Sequence, residues 1–251
     1  MQTVIKEFQD HIAILRLNSG PANPINLKLV DELSKSLAEI KGTARGMVLC
    51  GGQQFFSAGF DLPELLKLDR PAMGNFLERF NQLCLNLFTV PIPTVCALSG
   101  HAVAGGNILA LTCDYRYASS EIKKIGLNEL KLGVPVPYLA DMMLRHTIGN
   151  QYATQMIYSG EFMSFADAKI IGLIDVIGQP EELEDFTLER LSQIASYPSQ
   201  ALSVVKAAKV EEIKRRYENN IKSKNGAFLD CWFSDPVQKN LLEAALKFST
   251  K

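Results

Sequence analysis

The chain is poor in the residues that build metal sites. Its 251 residues hold 5 cysteines and 3 histidines. No Cys-x-x-Cys spacing occurs, and His11, His101 and His146 form no ligand cluster with Cys50, Cys84, Cys96, Cys113 or Cys231. A zinc site is therefore not expected. The cysteine count is odd and most of these residues sit among apolar neighbours, the pattern of buried thiols in a reducing compartment. No apolar run approaches the ~18 residues of a membrane span. The opening residues alternate polar and apolar as far as Glu7, with no basic stretch ahead of an apolar one, so no secretory signal is indicated. Charge of one sign is lacking too. Lys plus Arg is 26 against 27 Asp plus Glu, a formal net charge of −1. That balance argues against nucleic acid or an anionic membrane as the main partner. Internal repeats and Ser/Gly/Pro-rich linkers are also missing. A cytoplasmic, soluble protein is expected.

What is present is a chain long enough for a large core, 47% apolar and 21% charged. His11 to Leu17 reads as a strand and Ser19 to Pro24 as a turn. Val30, Leu33, Leu37 and Ile40 recur at helical spacing, and Met47 to Cys50 is a short apolar strand. The opening is thus β-turn-α-β. Phe55 to Leu62 reads as a loop. Met73 to Leu87 is an amphipathic helix, Thr94 to Leu98 a strand, Ile108 to Leu111 a short helix and Tyr115 to Ala118 a strand. Such alternation favours an α/β fold with largely parallel pairing. Beyond Pro137 the pattern is mostly helical. Ser164 and Asp167 are spaced as a helix cap, Gly172 fits the helix end, and Leu173 to Ile177 reads as a strand. Helices are predicted at about 180–196, 199–221 and 236–248, with Val237, Leu241, Leu242, Ala245 and Phe248 sharing a face of the last.

Three segments have the makings of a site. In Ser57-Ala58-Gly59-Phe60-Asp61-Leu62, Gly59 permits a turn that leaves the Phe60 amide unpaired. Alone, this is equally an ordinary tight connection. In Ala104-Gly105-Gly106-Asn107-Ile108, glycines open a helix whose free amides suit an oxyanion. Close packing of backbone on strand explains the glycines as well. In Gly126-Leu127-Asn128-Glu129-Leu130, one carboxylate stands in an apolar stretch, where burial would raise its pKa into the range for proton transfer. A surface Glu in a loop is the plainer reading of that segment by itself.

Taken in order, the segments say more. A strand and Ser-Ala-Gly-x-Asp, then about 45 residues to Ala-Gly-Gly at a helix start with Cys113-Asp114 after it, then about 20 residues to Asn128-Glu129: this arrangement closely resembles the crotonase (enoyl-CoA hydratase/isomerase) superfamily. The resemblance runs from about residue 4 to the 164–176 segment. It implies a crotonase-like α/β fold, a ββα-spiral core with a C-terminal helical extension, here expected over 1–190 and 191–251, the extension serving trimerisation or covering the active site. It implies an acyl-CoA substrate, no separate cofactor or metal, and a homotrimer or dimer of trimers. By motif position, the amides of Phe60 and Gly105 form the oxyanion hole. Ser57, Ala58, Gly59, Asp61, Leu62, Gly106, Ile108 and Asn128 line the substrate site.

Hydratases of the family use two glutamates. The first of those positions is Ile108 here, which neither accepts nor donates a proton. The second is Glu129. Asn128 replaces the usual proline before it, and Val134 to Leu139 replaces a later Gly-Gly. One carboxyl without its partner, together with Phe56 to Leu62, Ala110 to Arg116 and Ile125 to Glu129, looks like the Δ3,Δ2-enoyl-CoA isomerase subgroup. The expected reaction moves a double bond from C3 to C2 through a dienolate, with Glu129 as the single base. Another crotonase reaction on an acyl thioester (hydration, decarboxylation or hydrolysis) or a silent acyl-CoA-binding protein are the alternatives. His101 is a wall residue or a satisfied polar group, Asp114 is structural, and Lys222, Lys224 and Lys239 are either CoA phosphate contacts or solvated side chains.

Overall fold

A computed structural model of the chain describes residues 2–120 and 122–249. The side chain of Phe248, expected on the apolar face of the last helix, lies outside the described residues.

The chain opens with an antiparallel hairpin, β1 (Val4–Gln9) and β2 (Ile12–Leu17). The sequence reading has one strand here. β1 escapes it because it is an edge strand with mostly exposed side chains, so no buried face marks it. Helix α1 (Leu27–Ile40) follows. The Asn26 side chain caps it by accepting from the Leu29 amide at 3.1 Å, and Leu29, Val30, Leu33, Leu37 and Ile40 form its buried face.

Three successive ββα turns then stack on one another. The first is β3 (Gly46–Cys50), β4 (Phe55–Ser57), α2 (Leu62–Leu65) and α3 (Arg70–Phe88). The second is β5 (Thr94–Leu98), β6 (His101–Val103) and α4 (Gly105–Leu111). The third is β7 (Tyr115–Ser119), β8 (Lys124–Gly126) and α5 (Glu129–Leu132). Next come α6 (Tyr138–Ser159), interrupted at Gly149, then β9 (Met163–Ser164), α7 (Phe165–Ile170), β10 (Val176–Gly178) and α8 (Leu183–Ala195). The chain ends in α9 (Ser199–Trp232) and α10 (Asp235–Ser249).

The five longer strands and the three-residue β10 form one sheet in the order β1-β2-β3-β5-β7-β10, parallel except at the opening hairpin. The remaining short strands form a second, β4-β6-β8-β9. Each turn of the spiral therefore gives one strand to each sheet and then a helix. This is the expected crotonase-like α/β architecture with C-terminal helices. On one face of the large sheet, Leu183, Leu188 and Leu191 of α8 cover Ile14, Val48 and Val95. The main core, on the other face, takes in α1, α3, α4 and the C-terminal helices.

Three expectations are corrected. Residues 55–62 are not a loop throughout: β4 occupies Phe55–Ser57, Phe60 bridges Ile25, and α2 begins at Leu62. The late strand starts at Val176, not Leu173. The amides of Leu173 and Ile174 instead donate to the Ala168 carbonyl and close the end of α7, while the Arg116 Nε donates to the Leu173 carbonyl at 2.7 Å. Helix α9 runs on to Trp232 rather than stopping near 221, because burial of Phe228 and Trp232 outweighs the helix-weakening Gly226. On the last helix, Val237, Leu241 and Ala245 are buried, but Leu242 is exposed. The Ser164 cap is as expected, its hydroxyl accepting from the Asp167 amide at 3.0 Å.

Asp114 ties α9 to the sheet. Its carboxylate accepts from Lys206 at 2.5 Å, Lys209 at 3.0 Å and the Thr94 amide at 3.0 Å. Burial pushes the carboxyl up, but Lys206 and Lys209 outweigh that and hold it below the usual range.

Candidate active site

The segment after β4 is fixed from below. The Ser57 hydroxyl donates to the Asn23 carbonyl at 2.7 Å and accepts from the Gly59 amide at 3.2 Å. Ile25 then takes both neighbours of Phe60: its amide donates to the Gly59 carbonyl at 2.8 Å and its carbonyl accepts from the Asp61 amide at 3.0 Å. In such a parallel bridge, the residue between the bonded groups turns its own amide the other way. The Phe60 N–H accordingly finds no acceptor among the described residues. Asp61 caps α2 by accepting from the Glu64 amide at 3.2 Å.

A second amide comes from the start of α4. Ala104 holds a strained positive φ of 49° and donates its amide to the Gly126 carbonyl at 2.9 Å. That turn delivers Gly105 as the first helical residue, whose amide has no intrahelical partner. The glycines let the two segments touch. Gly59 has φ 92°, and a β-carbon there would lie 2.9 Å from the Gly105 nitrogen. A β-carbon on Gly106 would lie 2.2 Å from the Ser57 carbonyl oxygen.

Glu129 is the first residue of α5 and is 8% exposed. Its Oε2 has no hydrogen-bond partner among the described residues. Burial pushes the carboxyl from an ordinary 4.5 up to about 7, although its own amide and that of Asn128 favour the anion. A carboxyl so tuned is divided between acid and base near neutral pH.

Phe60, Gly105 and Glu129 share the wall of one cavity of about 90 Å³. Ala58, Leu62 and Asn128 line it too. Five other residues expected at the substrate do not reach that wall. Ser57, Gly59, Asp61 and Gly106 shape it from behind through the contacts just described. Ile108 is 2% exposed and packs in the main core. The sequence reading missed Phe162 and the far side of the cavity, where Phe228 and Trp232 of α9 and Leu241 and Ala244 of α10 close over Glu129. The helical spacing of Phe228 and Trp232 is the signal that could have found them.

Beside the cavity lies a groove of about 1150 Å³ that shares Asn128, Leu132 and Ala244 with it. Lys131 and Lys247 stand in its lining, and Lys131 is also paired with Glu161. Lys222, Lys224 and Lys239 do not line it. Lys224 instead sits over the Tyr138 ring, 5.4 Å from its centroid. His101 does line the groove, with its Nδ1 accepting from the Lys124 amide at 2.9 Å. Burial, then Lys123 and Lys124, hold its pKa down. It is a satisfied wall residue.

The chain matches the family Enoyl-CoA hydratase/isomerase over residues 7–248. It is 28% identical over 234 residues to a Homo sapiens protein named Enoyl-CoA delta isomerase 1, mitochondrial, covering 92% of this chain and 78% of that one. It is 30% identical over 230 residues to a Bacillus subtilis protein named Probable enoyl-CoA hydratase, covering 90% of this chain and 86% of that one. The crystal structure of human mitochondrial delta3-delta2-enoyl-CoA isomerase superposes with a TM-score of 0.95 at 27% identity, over 99% of each chain. That of enoyl-CoA hydratase from Bacillus halodurans shares the fold, with a TM-score of 0.89 at 21% identity over 96% of this chain and 99% of that one. Among the described residues, no helix is long and apolar enough to cross a membrane.

Proposed function

The chain belongs to the enoyl-CoA hydratase/isomerase family, and on that premise we propose that it is a Δ3,Δ2-enoyl-CoA isomerase with one carboxyl base. The observation that carries this reading is the lone buried carboxyl of Glu129, in one cavity with Phe60 and Gly105, with isoleucine at 108.

The chemistry follows from that set. The acyl thioester enters from the groove, where Lys131 and Lys247 suit an anionic CoA. The Glu129 carboxylate takes a proton from C2 of the 3-enoyl group. The electrons move into a dienolate, and negative charge develops on the thioester oxygen. The Phe60 and Gly105 amides hold that oxygen, a contribution of about 10²–10³ in rate per donor in comparable sites. The carboxylic acid just formed returns the proton to C4, leaving the double bond between C2 and C3. Adding water requires a second group to activate it, and the apolar Ile108 supplies none.

Hydration is the second reading, supported by the identity to the Bacillus subtilis protein named Probable enoyl-CoA hydratase; Ile108 speaks against it. A homotrimer or dimer of trimers belongs to the same proposal, supported by exposed Val204, Val205 and Leu242 on the C-terminal helices. The five free cysteines support a reducing compartment such as the cytoplasm.

The test gives the protein a 3-enoyl-CoA and follows the absorbance of the conjugated 2-enoyl thioester. Wild type converts it, and Glu129→Gln loses ~10²–10⁴ in kcat. Undiminished conversion by that variant removes the role proposed for Glu129.

A further inference from the structure

The small cavity around Glu129 lies between two larger spaces. On one side it shares Asn128, Leu132 and Ala244 with the groove. On the other it shares a single residue, Phe228, with a separate cavity of about 370 Å³. That outer cavity has the apolar side chains Leu77, Pro135, Val136 and Ile157 in its wall. Phe228 is therefore the partition between the two.

The partition is rigid. Phe228 is 3% exposed and stacks on the fully buried Trp232, with ring centroids 6.0 Å apart and planes at 22°. The turn of α9 that carries it is held on both sides. One residue triplet earlier, the Asn225 Oδ1 accepts from the Asn81 Nδ2 of α3 at 3.0 Å. Just after it, Asp230 pairs with Arg70. A swing of the Phe228 ring would break the stack on Trp232.

The cavity is small, about 90 Å³. In so small a cavity the acyl chain beyond the reacting carbons meets Phe228.

We infer that Phe228 sets the acyl-chain length, closing the far end of the acyl cavity and restricting the site to short-chain thioesters. The inference rests on the acyl-thioester reading above and names its substrate class. The outer cavity would take the rest of a longer chain if the partition were opened.

The experiment measures binding of saturated hexanoyl-CoA and dodecanoyl-CoA to the purified protein, beside turnover of the matching 3-enoyl thioesters. Wild type gains no affinity from the longer chain and turns over the six-carbon substrate at least ~10-fold more efficiently. Phe228→Ala, or the milder Phe228→Leu where the first variant melts early, shifts that ratio by ~10-fold or more toward the twelve-carbon chain. Wild-type binding of dodecanoyl-CoA ~10-fold tighter than hexanoyl-CoA overturns the inference. So does an unchanged ratio in a folded Phe228 variant. Binding with the predicted chain-length limit but without turnover of either substrate leaves the partition standing and rejects the isomerase reading.

Discussion

Gly59 and Gly105 press together so closely that a β-carbon on the first would stand 2.9 Å from the amide nitrogen of the second. Sites 46 residues apart in sequence, 105 minus 59, thus meet backbone to backbone. The contact sets the spacing of the two free amides, because Phe60 follows one glycine directly and Gly105 is the other. Gly59→Ala therefore injures the site twice. It forces a β-carbon into a positive-φ position, at a cost of about 1–3 kcal/mol, and it pushes the amides apart. The expected result is a lower Tm and a loss of ~10²-fold or more in kcat. Thermal melting and turnover of the 3-enoyl thioester check both.

The pH dependence of turnover should report Glu129. The carboxyl must be ionised to take the C2 proton, and burial sets its pKa at about 7. The rate is therefore expected to climb as pH rises through that value and to level off above it. A profile already flat from pH 5 upward would assign the base to another group.

Stability should run the opposite way. The folded protein holds the Glu129 proton more tightly than the unfolded chain, whose carboxyl titrates near 4.5. The stability contribution is thus fully present below that value and is lost as pH rises through about 7. Above it, wild type carries a buried charge at a cost on the order of 3 kcal/mol, from the shift of 4.5 to about 7. Glu129→Gln removes that cost. The variant should be more stable than wild type at pH 8 and close to it at pH 4, as read by urea unfolding at the two values.

Ile108→Glu places a carboxyl in a core position that is 2% exposed. Burial without a partner costs about 1–3 kcal/mol by mutational measures, so the Tm falls. If its longer side chain reaches the cavity from behind the wall, the variant gains the second acid that hydration needs. Hydration of a 2-enoyl thioester, expressed per folded molecule, should rise above the wild-type level. An unchanged rate in a folded variant would show that a carboxyl at 108 does not reach the substrate from behind the wall.

Much of the large sheet was legible because five of its six strands are five or six residues long, with apolar runs such as Met47 to Cys50 and Thr94 to Leu98. The second sheet was not. Its strands span two or three residues, too few to display a period of two. His101 to Val103 and Lys124 to Gly126 gain strand geometry only by pairing within that sheet, with each other and with β4 and β9. The cavity shows the same division. Phe60, Gly105 and Glu129 stand out through glycine spacing and an isolated carboxylate, which are local features. Phe228 and Trp232 reach the cavity only because α9 folds back over it, a long-range contact; their helical spacing marks an apolar face but not what it covers. The apolar face of α10 was readable with two destinations, a subunit contact or a cover over the site, and it places Leu241 and Ala244 in the cavity wall with Glu129.

The central claim is that one carboxyl suffices because the reaction transposes a double bond rather than adding water. Wild-type protein given a 3-enoyl-CoA and, separately, the 2-enoyl-CoA of the same chain length tests this in one comparison. Isomerisation is expected to outrun hydration by ~100-fold or more, the scale contributed by one missing acid–base group. Hydration as fast as isomerisation would contradict it.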